Sequence, residues 1–292
     1  MQLRTDLALE AHELSGGSIN GAEINQSTEA GMTASEIRII SSEAAEKLGK
    51  PKGTYITFEN LVLTDDFTNA EEKIKVLAAK IHELLPPGPV MVAGIGSTSI
   101  TSDALGPKST SYILATRHIE SELKRSLGLD TLRDVSVIAP GVTGETGIES
   151  GEMIISLVKR LNPSAVIAVD ALAARSLSRL GCTIQISDSG ITPGSGVGNH
   201  RMTLSKETLG IPVISVGIPT VVDALTLAHD ILSITDSDVS IEHTVNPRGE
   251  QMIVTPREID ILTERGAKLA GMAINYALQY ETDYETLMLL SS

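Results

Sequence analysis

Short, unbroken apolar runs recur through the middle of the chain: PVMVAGIG at 89–96, VSVIAP at 135–140, AVIAVD at 165–170, IQIS at 184–187 and PVISVG at 212–217. Continuous Val and Ile runs are what strands buried on both faces require, and crossover helices supply the cover. Helix-like segments lie at about 107–126, 150–161, 171–180 and 220–233. The alternation predicts an α/β fold, a doubly wound α/β/α sandwich around a mostly parallel sheet.

The clearest helix is 69–85. Asn69 can cap it, Glu71 and Glu72 suit its positive end, and Pro86-Pro87 stop it. Ile74, Leu77, Ala78, Ile81 and Leu85 fall on one face at helical spacing. Before it, residues 14–34 are rich in Gly, Ser and Asn and read as a loop or extended arm. A strand at Glu36–Ile40, a short helix at Glu43–Leu48 ended by Gly49, and a strand at Tyr55–Glu59 follow. Near the C-terminus, Thr255-Pro256-Arg257-Glu258 carries a capping box with Pro at the first helical position. This divides the chain into an N-terminal arm and small β-rich element, residues 7–67, and a main domain, 68–292.

Composition narrows the picture. Aromatics are 2% of the 292 residues and Trp is absent, so the core is built from Val, Ile, Leu and Ala. The net charge of −14 repels phosphate backbones, so no direct nucleic-acid partner is expected. No apolar run reaches membrane-span length and the N-terminus has no signal-peptide pattern, which points to a cytoplasmic protein with no membrane partner. The single cysteine, Cys182, precedes Ile184 and Ile186 in a strand-like stretch and reads as a buried, inert thiol.

In open α/β sheets, ligands sit beyond the carboxyl ends of the strands. That edge should carry Asp103 after the 89–96 run, Asp170 at the end of 165–170, and Asp223 after 212–217. Asp170 is a desolvated carboxylate at the working edge, or else the N-cap of a helix starting at Ala171. Asp103 has a similar capping alternative. Asp223 closes the capping-box pattern Thr220-Val-Val-Asp223 and reads as structural. Two carboxylates held close share a proton: one activates water as a base, the other polarises a carbonyl. The spacing puts Asp103 and Asp170 at one edge without showing that they meet. PGSGVGN at 193–199 matches neither the P-loop nor the dinucleotide fingerprint, and reads as a tight loop offering backbone amides. His118, His200, His229 and His243 show no zinc spacing, and no G-x-S-x-G follows a strand.

At these loops the chain resembles the germination protease family of spore-forming Firmicutes. The stretches that carry it are RTDLALEAHE at 4–13, SDALGPK at 102–108, TRHI at 116–119, APGVTGETGIES at 139–150 and NPSAVIAVDALAARS at 162–176. IQISDSGITPGSGVGN at 184–199, LGIPVISVGIPTVVDA at 209–224 and MIVTPREID at 252–260 continue it in the family's order. The resemblance implies an endopeptidase of an atypical aspartic type that cuts small acid-soluble spore proteins; no cofactor or metal is expected. It implies a fold related to hydrogenase-maturation proteases, a homotetramer, and a location in the spore core. The family's two proposed catalytic aspartates carry over to Asp103 and Asp170. Here the first motif has Ser-Asp where the family has Pro-Asp, and the stretch from about 234 to 250 is shorter. The resemblance also implies a zymogen whose pro-segment, here residues 1–6, is removed at the Asp6–Leu7 bond; family members carry a longer segment before this motif. Because such enzymes cut beside acidic residues, Arg175 is a candidate to bind substrate, with Gly194 and Gly196 offering backbone contacts. The rival readings are a metal-dependent protease or amidase on the same fold, and a non-enzymatic ligand-binding α/β domain.

Overall fold

A computed structural model describes residues 4–17, 19–61, 70–126, 128–193, 202–233, 245 and 252–290. Among them nine strands form one sheet in the order β1-β2-β3-β7-β8-β6-β4-β5, with β9 paired to β8. Four parallel neighbours make its centre: β5 (Val135–Ile138), β4 (Val90–Gly94), β6 (Ala165–Ala174) and β8 (Val213–Asp223). On the β8 side the pairing turns antiparallel through β7 (Ile184–Ser187), β3 (Gly53–Glu59), β2 (Met32–Ile39) and β1 (Ala22–Glu29). The short β9 (Ile253–Val254) is antiparallel too. The parallel pattern expected from the apolar runs is therefore the heart of a mixed sheet. The N-terminal strands extend that sheet rather than forming a body beside it.

Alternation along the strands sorts the core into layers. Val90 and Val92 of β4 and Ile167 and Val169 of β6 face one cluster, which contains Ile74, Leu77 and Ile81 of α3 (Glu71–Leu84) and Ala270 and Ile274 of α10 (Ile259–Leu278). Met91 and Ala93, with Val166 and Ala168, face the other, with Ile154 and Val158 of α7 (Ser150–Leu161). Period-two strands between helices on both sides give the α/β/α sandwich. Each fully buried Ile or Leu in these layers contributes about 1.5–3 kcal/mol.

Several local expectations change. The 14–34 stretch is not a loop throughout: it holds β1, the start of β2 and the hairpin turn between them at Ala30-Gly31, both with positive φ. Helix α1 (Ala8–Leu14) precedes the hairpin, and α2 (Ser42–Leu48) follows it, capped by Ser41 and closed by Gly49 in the left-handed region. The helix expected at 171–180 does not form. Instead β6 runs on to Ala174, because the ladder to β8 continues through Ala174↔Val222 and outweighs the helix preference of Ala-Leu-Ala-Ala. The expected 107–126 helix is two short ones, α4 (Leu105–Thr110) and α5 (Ser121–Ser126). At the C-terminus the capping box is not made. Thr255 gives its hydroxyl to the carbonyl of Thr220, and α10 starts later, at Ile259. The remaining described helices are α6 (Thr143–Thr146), α8 (Lys206–Leu209), α9 (Ala224–Ser233) and α11 (Tyr284–Leu290).

Candidate active site

The site lies where β4 ends and β6 continues. The Ile95 N–H, just past β4, donates to Val169 O at 2.8 Å. Two residues further along β6, the Ala171 N–H is taken by the carboxylate of Asp170, at 2.9 Å to Oδ1. Two further still, Ala173 exchanges two hydrogen bonds with Asp6: Asp6 N–H to Ala173 O at 2.8 Å, and Ala173 N–H to Asp6 Oδ2 at 2.8 Å. Alternate residues of a strand turn their backbone groups to the same side, one step being roughly 7 Å. So the Asp170 carboxylate occupies the slot on the open edge of β6 between the end of β4 and the N-terminal segment. Asp170 is 4% exposed and lies within a strand, so it is not the helix N-cap that was its alternative reading.

Asp103 reaches this edge from a 3-10 turn, Thr101–Asp103, between β4 and α4. Its Oδ2 accepts from the Ser97 N–H at 3.0 Å. The turn lies hard against Gly96, whose φ is +117°. A Cβ there would stand 2.0 Å from Asp103 O and 3.2 Å from its Cγ. The loop that bears Asp103 thus starts one residue from Ile95, itself bonded to the neighbour of Asp170. The Asp103 turn and the Asp170 segment of β6 thus both adjoin the end of β4.

Other residues hold this turn. Thr220 donates from Oγ1 to Ser102 O at 2.7 Å, and Thr263 from Oγ1 to Thr101 O at 3.2 Å. Thr220 sits where the β6–β8 register shifts, next to Pro219, which has no N–H to give the ladder. The bulge turns its side chain toward the site, as bulges commonly do. From the far side, Glu145 on α6 accepts from the Ser97 hydroxyl and, at 3.0 Å, from Ser99 Oγ. These hydroxyls, Ser97 first, hold the Glu145 carboxyl below the usual carboxylate range. Neither Ser97 nor Glu145 stood out in the sequence, and Thr220 was read there only as the start of a capping box.

The N-terminal segment is docked beside this slot. Leu7 is fully buried among Leu172, Ala174 and Val222. Asp6 O accepts from Gln185 Nε2 at 3.3 Å, the Leu7 N–H donates to Thr5 Oγ1 at 3.0 Å, and the Ala8 N–H donates to Gln185 Oε1 at 2.8 Å. Lys50 donates to Thr5 O at 2.9 Å; burial pushes its ammonium pKa down, opposed by Asp6 and Glu10. Glu10, itself buried, accepts from the backbone N–H groups of Arg175 and Ser176. The Asp6–Leu7 bond is therefore engaged on both sides.

Arg175 grips Asp230 of α9 with its guanidinium fork, Nε lying 3.0 Å from both carboxylate oxygens and NH2 2.6 Å from one. To meet an acidic substrate side chain it would first have to leave that partner. Asp223 caps α9, accepting from Thr226 N–H at 2.8 Å; it is the cap itself rather than the fourth residue of a box begun at Thr220. Cys182 is half-buried, bonded to Ser178 O at 2.8 Å, with its thiol pKa raised by burial. Gly194, Gly196, His200, His243 and the 234–244 and 246–251 stretches lie outside the described residues. Among the described residues no three His, Cys, Asp or Glu side chains gather as metal ligands, and no helix is long and apolar enough to cross a membrane.

Fold and site together define an α/β/α protein with acidic side chains at the carboxyl edge of its parallel strands. A family model described as germination protease matches residues 4–237, and the chain belongs to that family. It is similar to the germination protease of Caldanaerobacter subterraneus subsp. tengcongensis, 41% identical over 95% of this chain and 94% of that protein. Those of Clostridium perfringens (38%, covering 95% of each) and Priestia megaterium (36%, covering 97% of this chain and 95% of that protein) are also similar. Among solved structures, the [NiFe] hydrogenase maturation protease HycI from Thermococcus kodakarensis KOD1 matches with a TM-score of 0.37 at 18% identity, over 67% of this chain and 98% of that one. The chain is thus a protease of the germination protease family.

Proposed function

We propose that this protease begins the breakdown of small acid-soluble spore proteins during germination, with Asp103 and Asp170 activating the attacking water. One carboxylate, ionised, takes the water's proton. The other, protonated, donates a hydrogen bond to the scissile carbonyl and stabilises the oxyanion as it forms. The observation that carries this reading is the slot on β6: an open strand edge holding Asp170, with the Asp103 turn packed on the adjoining strand end.

The same slot supports a zymogen reading. Asp6 takes both backbone groups of Ala173 on the edge of β6, its N–H meeting the carbonyl and its carboxylate meeting the N–H. Cleavage at Asp6–Leu7 would release that edge, and the hydrogen bonds to Gln185 and Thr5 would have to break first. The working enzyme is proposed to be a homotetramer in the spore core. The test is incubation of the purified protein near pH 5 followed by N-terminal sequencing. A new terminus at Leu7, absent from Asp170→Asn, is expected. Activity that rises while Met1 stays attached would contradict the zymogen reading.

A further inference from the structure

We infer that Glu145 is a positioning residue for Asp103, acting through Ser97; this rests on the reading of Asp103 as catalytic. The connection is a short chain of hydrogen bonds. The Ser97 N–H donates to Asp103 Oδ2 at 3.0 Å, the Ser97 hydroxyl donates to Glu145, and the Ser99 N–H donates to Ser97 Oγ at 3.1 Å. Ser99 adds its own hydroxyl to the same Glu145 oxygen at 3.0 Å. One carboxylate thereby holds the first turn of the loop that bears Asp103.

The geometry explains why a tether is needed. The N–H that meets Asp103 belongs to the Gly96–Ser97 peptide, and Gly96 has φ +117°. Glycine resists rotation less than any other residue, so its own backbone does not fix the plane of that peptide. Nor can a bulkier residue replace it, because a Cβ would strike Asp103 O. The plane is held from outside. Ser97 is almost wholly buried, and its hydroxyl has one proton, which goes to Glu145; one of its two lone pairs accepts from the Ser99 N–H. Both bonds fix the Ser97 side chain, and with it the N–H aimed at Asp103. Glu145 itself is exposed on the four-residue α6, so its bonds add little to global stability. Catalysis is more demanding, since a misplacement of about 1 Å can cost about 10²-fold in rate.

The test is steady-state cleavage of a small acid-soluble spore protein by Glu145→Ala, Glu145→Gln, Ser97→Ala and the double variant S97A/E145A, with thermal melts of each. Glu145→Ala should lower kcat by about tenfold to a hundredfold with KM within about twofold, while its melt stays near wild type. Glu145→Gln keeps an oxygen acceptor and should recover most of the loss. Ser97→Ala should match Glu145→Ala, and the double variant should be no worse than Ser97→Ala, because both break one chain. Full kcat in Glu145→Ala, or losses that multiply in the double variant, would overturn the inference. Asp103→Asn in the same assay separates the two ideas. If it keeps turnover, the reading of Asp103 fails and takes this inference with it. If it is inactive while Glu145→Ala is normal, the inference alone fails.

Discussion

At the residue scale, the site rests on a few positions where only one side chain fits. Gly96 is the sharpest, combining a left-handed φ with Asp103 O 2.0 Å from any added Cβ. Gly96→Ala should abolish turnover and lower stability by about 1–3 kcal/mol, read from denaturant unfolding beside the activity assay. A stable, active Gly96→Ala would mean that the Asp103 turn is not held as described. Asp170 stood out because it ends an apolar run; Asp103 lies in the loop past its run and was singled out with the help of the family's motif. Ser97 and Glu145 did not stand out, because a serine and an exposed glutamate in a loop have no spacing that marks them. For Thr220 a signal did exist. Pro219 closely follows the apolar run at 212–217; if the strand continues, a proline there breaks the ladder, and the next residue is the one that turns toward the site.

At the element scale, pairing decided what propensity could not. Ala171-Leu-Ala-Ala reads as the start of a helix, yet β8 holds it as strand, and that extra length of β6 gives the N-terminal segment its docking edge. Gln185 of β7 clasps the segment from both sides of Leu7. Gln185→Ala should therefore speed the appearance of the Leu7 terminus at fixed pH, followed by N-terminal sequencing against time; an unchanged rate would show that these bonds do not gate release. A second element, β3, carries a pH signature. Burial of Tyr55, whose hydroxyl donates to Pro51 O at 2.8 Å, pushes its phenol up to about 12 from an ordinary 10.0. The folded chain thus keeps a proton that the unfolded chain loses first. The stability this group contributes is whole below about pH 10 and is lost as pH rises through about 12. Tyr55→Phe should flatten the fall in unfolding free energy across that window, measured by urea titration; an unchanged slope would assign the effect elsewhere.

At the scale of the whole molecule, the doubly wound core followed from the apolar runs, and α3 and α7 form close to where helices were expected, whereas 171–174 is strand and 107–126 holds two short helices. What escaped was the reach of the sheet. Its N-terminal half is antiparallel, and in the sequence β1 (AEINQSTE) is mostly polar because it is an edge strand with none of its residues buried. Nothing in such a strand announces that it joins the same sheet through β2, β3 and β7. That continuity matters for function, because it fixes α1 and the Asp6 segment against the edge that carries Asp170. Leu7, fully buried in this contact, gives a way to weigh it: Leu7→Ala should destabilise the unprocessed chain by about 2–5 kcal/mol in denaturant unfolding. A loss below about 0.5 kcal/mol, typical of surface positions, would mean that the segment is not docked in solution. The most direct test of the aspartate pair is to mix the purified protein with a small acid-soluble spore protein and map the cuts by mass spectrometry. Wild type, Asp103→Asn and Asp170→Asn should be compared, each shown folded by circular dichroism. Wild type should give defined internal cuts, and each variant should be slower by about 10²–10⁴-fold. Near-normal cleavage by either folded variant would contradict the assignment.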